Sequence, residues 1–262
     1  MIKFQRISGV NLDAENLPVI NITPEGEAMG AVPGWGVYVD PKTNPDGGQT
    51  VRNQAIRNGN ATQDSGSRVV VLGDINGTPA FDHTSESGQF NVDLPVNGIN
   101  PEAWSVFFAL SSGSGPNVQT IFAERPAVAA GDGIGLNVAL NAAGTNVLVY
   151  EGTGTGTGQI SRFDTTSVLS NGVPSLIMVT FSTSRGFALY KNGQLVNSDD
   201  SDKRPLTNSQ NANAVRHGFA ARGLQGDMGI LNIDLGAPEN TGHRRSIEKF
   251  LMDKYGIPQG PQ

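Results

Sequence analysis

The segment PSLIMVTFSTSRGFALYKNGQLV, residues 174–196, constrains the fold of this chain more than any other. Ser175 to Phe181 is hydrophobic and rich in strand formers, Thr183 to Gly186 interrupts it, and Phe187 to Tyr190 resumes it. Asn192-Gly193 then returns the chain onto Leu195-Val196, because Asn and Gly tolerate the positive φ angles of a type I′ turn. Three short strands joined by tight turns predict an antiparallel, all-β architecture.

The rest of the chain agrees. With 262 residues it can bury one sizeable core, and its 34 glycines and 16% charged residues suit short strands joined by many turns. Strands are expected near Trp35–Val39, Val69–Leu72, Gln89–Leu94, Ala103–Leu110, Thr120–Glu124, Gly135–Leu140, Asn146–Tyr150, Leu176–Phe181, Phe187–Tyr190, Gln194–Asn197, Ala214–Ala220 and Met228–Leu235. Trp35 and Trp104 begin two of them and are expected in the core. One helix is expected over 242–255, where Ile247, Phe250, Leu251 and Tyr255 recur at helical spacing. Thr241 is its N-cap candidate, Gly256 its left-handed C′ residue, and Pro258 stops continuation. The chain divides into residues 1–24, an extended arm or first strand, and residues 25–262, a β-sandwich carrying that helix.

Charge and composition exclude several functions. A formal net charge of −6, with Lys203-Arg204 and Arg244-Arg245 the largest basic groupings, is a poor match for phosphate neutralisation, so nucleic acid is not an expected partner. No apolar run approaches the length of a membrane span, so insertion into a membrane is not expected. The absence of cysteine fits folding in a reducing cytosol or a chain large enough to need no disulfides, and no secretory leader pattern is expected.

The strand-Asn-Gly-return hairpin resembles that of laminin-G-like domains in the concanavalin A-like lectin/glucanase superfamily. Two further segments carry the same resemblance in the same order: NGTPAFDHTSESGQFNVDLPVN at 76–97, and GDMGILNIDLG followed by a helix ending in KYGIP. Phage and bacterial members often end in this last way. The resemblance implies a jelly-roll β-sandwich with one short C-terminal helix. It further implies a non-enzymatic structural or adhesive protein of a bacteriophage particle, a head decoration, fibre or tail appendage located in the virion. Its partners would be other virion proteins, copies of itself in a homo-oligomer, and host surface polysaccharide. A stand-alone lectin module and a glycoside hydrolase are the alternatives.

The hydrolase is the weaker alternative. Enzymes of this superfamily carry clustered carboxylates in an E-x-D-x-x-E strand, because one carboxyl protonates the leaving group while the other attacks or activates water. No such string is present: Glu25-Gly26-Glu27 is expected in a turn and Glu124 is isolated, so no catalytic residue is expected. The histidines His83, His217 and His243 lack the context of a catalytic base, and His83 is expected in an exposed loop. The glycine run EGTGTGTGQ at 151–159 lacks the following helix of a phosphate loop and reads as a flexible hairpin or a surface loop.

Sugar binding needs an aromatic platform flanked by amides or carboxylates, for which the candidates are Tyr38, Phe81, His83, Asn208, Asn211 and Asn213. Relatives in the superfamily often hold calcium through loop carboxylates. The corresponding candidates are Asp199, Asp200 and Asp202, although their spacing does not match an EF-hand. No other cofactor is expected.

Overall fold

The computed structural model describes residues 24–43, 50–55, 59–63, 71–84, 90–93, 98–126, 135–152, 159–207, 212–217 and 222–260. In chain order the elements are α1 (Pro24–Gly30), β1 (Trp35–Val39), β2 (Thr50–Asn53), β3 (Gly59–Gln63), β4 (Val71–Ile75), β5 (Thr78–Asp82), β6 (Phe90–Asp93), β7 (Ala103–Ser112), β8 (Gln119–Pro126), β9 (Leu136–Leu140), β10 (Val147–Gly152), β11 (Gln159–Asp164), β12 (Pro174–Ser182), β13 (Gly186–Lys191), β14 (Gln194–Asp199), β15 (Ala212–His217), β16 (Gly223–Leu231) and α2 (Thr241–Tyr255). The described residues of the expected arm begin only at Pro24, so residues 1–23 lie outside this account.

The strands form two antiparallel sheets. The first runs β14-β13-β12-β7-β16-β5-β4, with β1 also paired to β16; the second runs β11-β10-β9-β8-β15-β6-β3-β2. Their facing sides enclose the main core, to which Val106 and Phe108 of β7, Val138 of β9, Val149 of β10 and Ile177 and Val179 of β12 contribute. Trp104 is wholly buried there and stacks on Phe181 at 5.6 Å. This is the all-β sandwich with one C-terminal helix that the strand pattern predicts.

The first sheet is buried on its other face as well. Phe107, Ala109, Leu176 and Met178 alternate with the inward residues of β7 and β12 and form a second core beneath the two helices, with Ile247, Leu251, Met252 and Tyr255 of α2. Burial on both faces explains why these two strands read as continuous apolar runs instead of alternating.

The 174–196 hairpin behaves as the sequence predicts. Asn192 and Gly193 have φ of 50° and 81°, and the Asn192 side chain accepts a 2.8 Å hydrogen bond from the Leu176 N–H. A second Asn-Gly turn, Asn76-Gly77 with φ of 52° and 80°, joins β4 to β5, a pairing not predicted from the sequence. Asn76 donates to the Tyr255 carbonyl at 2.8 Å and Thr78 to that of Lys254, so this turn satisfies two of the last carbonyls of α2. Gly256 ends the helix in the left-handed conformation, as expected, with the Ile257 N–H returning to the Met252 carbonyl.

Several expectations are corrected. Glu25-Gly26-Glu27 lies in α1, not in a turn, and Met29 at its end packs under the sheet. Strands β2, β3, β5 and β11 were not expected, because their Gly-, Asn- and Gln-rich stretches lack an apolar run. The helix starts at Thr241, one residue early, and Asn240 makes no side-chain cap, its amide donating to the Asp234 carbonyl instead. The glycine run at 151–159 does connect a hairpin, β10 to β11.

Candidate functional site

A cavity of about 490 Å³ opens between α1, β1, the Gln54-Ala55 turn and α2. Its wall is aromatic: Trp35 and Phe250 are half-buried, and Tyr38 adds a ring edge. Asp40 and the exposed Gln54 supply the polar groups.

The sequence positions these groups through an irregularity. Strict alternation along WGVYV would put Trp35 and Tyr38 on opposite faces. A register shift between Trp35 and Val37 in the pairing with β16 turns both to the helix side, with ring centroids 5.4 Å apart. Phe107 stands edge-on to Trp35 at 5.7 Å and fixes it further. This packing requires Gly229, where a Cβ would approach the Phe107 ring to 2.3 Å and the Trp35 ring to 2.9 Å. The buried Asn53 side chain ties the far wall down, accepting from Tyr38 N–H and Ala55 N–H, each at 3.0 Å, and donating to the Gly36 carbonyl. The platform is rigid before any ligand arrives, which lowers the entropy lost on binding.

Beneath Tyr38 lies a charged knot. Asp227, fully buried on a register shift of β16, accepts from the Tyr38 hydroxyl at 2.5 Å, the Tyr255 hydroxyl at 2.6 Å and the Lys254 ammonium at 2.8 Å. Lys254 also reaches Asp40 at 2.9 Å, linking the knot to the cavity rim. Burial first, then the nearby Asp40 carboxylate, pushes the Asp227 carboxyl up to about 6 against the pull of Lys254. Burial first, then the Asp227 carboxylate, drives both tyrosine hydroxyls well above their usual range, so they remain donors.

A different knot holds the 200–207 loop. Arg162 of β11, nearly inaccessible, donates to Glu151, to Asp202 at 2.5 Å and 3.1 Å, and to the Arg204 carbonyl. Its guanidinium lies 5.6 Å from the centroid of Phe181 and 5.7 Å from that of Phe187. The Thr207 hydroxyl donates to Glu151 at 2.6 Å. Hydrogen bonds from Arg204 lead in holding the Asp202 carboxyl far below its usual range, with Arg162 adding to them.

These placements revise the sequence candidates. Tyr38 lines the cavity, but its hydroxyl is committed to Asp227 and only its ring edge is offered. Phe81 is wholly buried in the main core and cannot form a platform. His83 is also fully buried, not in an exposed loop, and burial lowers its imidazole to about 4, so it is neutral at pH 7. Asn208 and Asn211 lie outside the described residues, and Asn213 is placed only as a member of β15. Asp199, Asp200 and Asp202 do not fit calcium: both Asp202 oxygens are engaged by Arg162 and Arg204, and Asp199 accepts from the Ser201 N–H. Among the described residues no three acidic, His or Cys side chains converge as a metal site. Sequence reading missed Trp35 as a wall, Asp40 and the Asp227 knot. Asp40 directly follows β1, but the register shift that turns Trp35 and Tyr38 together has no sequence signal.

No family model matches the chain, and no curated protein matches it in sequence. Solved structures do match in fold. The ligand-binding domain of botulinum neurotoxin serotype D, solved in complex with N-acetylneuraminic acid, superposes with a TM-score of 0.57 at 16% identity over 86% of this chain and 53% of that one. The receptor-binding domain of the mosaic serotype C/D gives 0.57 at 15% identity over 83% and 51%, and that of serotype G gives 0.54 at 14% over 82% and 51%. The chain spans about half the length of these domains, so the likeness defines a class of fold, the β-sandwich of receptor-binding domains, and no more.

Proposed function

We propose that this chain is a non-enzymatic, glycan-binding adhesive module of a bacteriophage particle, whether as head decoration, fibre or tail appendage. The observation that carries the reading is the preorganised Trp35 wall with a carboxylate and an amide at its rim. An indole face suits the C–H face of a pyranose, and Asp40 and Gln54 suit its hydroxyls. The fold neighbour solved with N-acetylneuraminic acid supports a recognition role. The KYGIP ending and the resemblance to concanavalin A-like phage members support a place in the virion, made in the host cytoplasm, with other virion proteins and copies of itself as partners.

For the hydrolase alternative, the carboxylate pair at the cavity is Asp40 and Asp227, joined through Lys254. A glycosidase needs both carboxyls facing the scissile bond, and Asp227 has no exposed surface. The purified protein is expected to bind immobilised host polysaccharide, to lose that binding with Trp35→Ala, and to release no reducing ends on long incubation. Sustained release abolished by Asp40→Asn would establish the hydrolase instead.

A further inference from the structure

We infer that a second cleft, at the β13–β14 edge of the first sheet, binds a small zwitterion of the amino-acid kind, taking its carboxylate on Arg185 and its ammonium on Asp200. The cleft holds about 290 Å³. It is separate from the Trp35 cavity, since β1 lies beyond β12, β7 and β16 in strand order, and it does not depend on the glycan reading. Arg185 enters from the turn between β12 and β13, Asp200 from one residue past β14 and Asp234 from the segment after β16, while Ala188 and Leu195 give an apolar side. The guanidinium lies against bare backbone: a Cβ at Gly236 would meet it at 3.1 Å and the Thr180 Oγ1 at 2.5 Å. The Arg185 N–H closes its turn on the Ser182 carbonyl at 3.1 Å, which fixes where the side chain starts.

The two charged groups face one cleft and remain largely unspent. Asp234 is satisfied mainly by others, accepting from the Ser182 hydroxyl at 2.7 Å and the Gly236 N–H at 2.8 Å, whereas Arg185 reaches it only at 3.5 Å. That long bond is the only one the guanidinium makes among the described residues, and it engages one of five donors. Asp200 accepts no hydrogen bond and forms no ion pair among the described residues, with Arg185 or any other. A guanidinium with free donors matches a carboxylate in a forked pair, and a free carboxylate matches an ammonium. A guest with only one of these charges covers the other group and leaves it without a partner, so both charges are selected together. The volume falls below the roughly 300–1,000 Å³ of pockets for drug-sized ligands, which favours one small molecule over a polymer. Leu195, 56% exposed, rewards a guest that also carries a short apolar side chain.

The test is an amide NMR titration of the isotope-labelled full chain with leucine, with isocaproate, which is leucine without its ammonium, and with isoamylamine, which is leucine without its carboxylate. Leucine is expected to shift the amides of Ala188 and Gly236 with a millimolar Kd, at least about tenfold tighter than either single-charge analogue. Arg185→Gln should bring leucine down to the level of isoamylamine, and Asp200→Asn to the level of isocaproate. Circular dichroism verifies each fold, and Asp200→Asn, an exposed substitution, decides alone should Arg185→Gln not fold. Isocaproate or isoamylamine binding as tightly as leucine overturns the two-charge recognition. Leucine binding unchanged in the folded variants, or no shift at these amides up to the order of 10 mM, overturns the site itself. Retention on immobilised polysaccharide through Trp35 is scored separately, so failure here leaves the glycan reading standing.

Discussion

Asp227 and Asp202 both fasten a late segment of the chain to the sandwich, and their surroundings push them in opposite directions. Asp227 joins α2 to the first sheet from a position with no solvent exposure, and it shares its one ammonium with Asp40. Asp202 joins the 200–207 loop to the second sheet through the guanidinium of a buried arginine, and it accepts from Arg204 too. In the first knot burial dominates over the pull of Lys254, so the proton is held more tightly. In the second the direct guanidinium hydrogen bonds dominate, so it is released. Depth and the cations within reach together decide what an aspartate contributes: burial leads at Asp227, and guanidinium hydrogen bonds lead at the less buried Asp202.

The second knot is most vulnerable at Arg162. Arg162→Ala leaves the buried Glu151 without its guanidinium and Asp202 with Arg204 alone, and should cost about 3–5 kcal/mol in urea unfolding, because an uncompensated buried charge remains at Glu151. A loss below 1 kcal/mol would mean that solvent reaches the second knot. Next comes Tyr255→Phe, which removes a hydroxyl that donates to the Asp227 carboxylate and accepts from its N–H. It should cost about 1–3 kcal/mol, the usual range for leaving buried polar groups unsatisfied.

A pH series sharpens the contrast further. A carboxyl raised to about 6 contributes stability that is full below its unfolded value near 4 and is lost as pH rises through 6. Asp202 contributes in the other sense, present above the unfolded value and lost as pH falls below it. The neutral, buried His83, with its imidazole lowered to about 4, also loses its contribution as pH falls from about 6.5 toward 4. The Asp227 share is therefore best read as a difference. Relative to Asp227→Asn, wild type should gain stability between pH 7 and pH 5, measured from urea midpoints; a flat difference would overturn the assignment. The smallest effect is expected at the exposed Lys249–Asp253 pair on α2, where Lys249→Ala should change stability by about 0.5 kcal/mol or less.

The two knots also mark how far the sequence could be read. The 174–196 hairpin, the strands of the double-faced core and the α2 C-terminus were legible because local chemistry decides them: Asn-Gly demands a tight turn, and Gly256 followed by Pro258 demands a stop. The strands β2, β3 and β11 were not: β2 pairs with β3 and β11 with β10, each its neighbour in sequence, but their polar stretches carry no apolar run to mark a strand. Arg162 is the clearest case. It stands in an apparently polar QISRFD stretch, and nothing in that stretch shows that Glu151 and Asp202 converge on it. Similarly, Trp35 and Tyr38 belong to one wall only because β1 is irregular against β16.

The seat of β16 bears on how the chain is made. This strand separates β7 from β5 and β1, and the Ser105 hydroxyl of β7 is spanned by the Leu235 N–H just beyond it, 130 residues later. During synthesis β7, apolar on both faces, therefore leaves the ribosome long before its second neighbour exists. Through that interval one of its edges is open to any passing strand, including that of another nascent copy. Such non-local closure belongs to the slow end of folding, on the order of milliseconds to seconds. Yield in a foreign host should consequently follow translation speed and chaperone supply at the β16 segment more closely than it follows the stability of the finished fold.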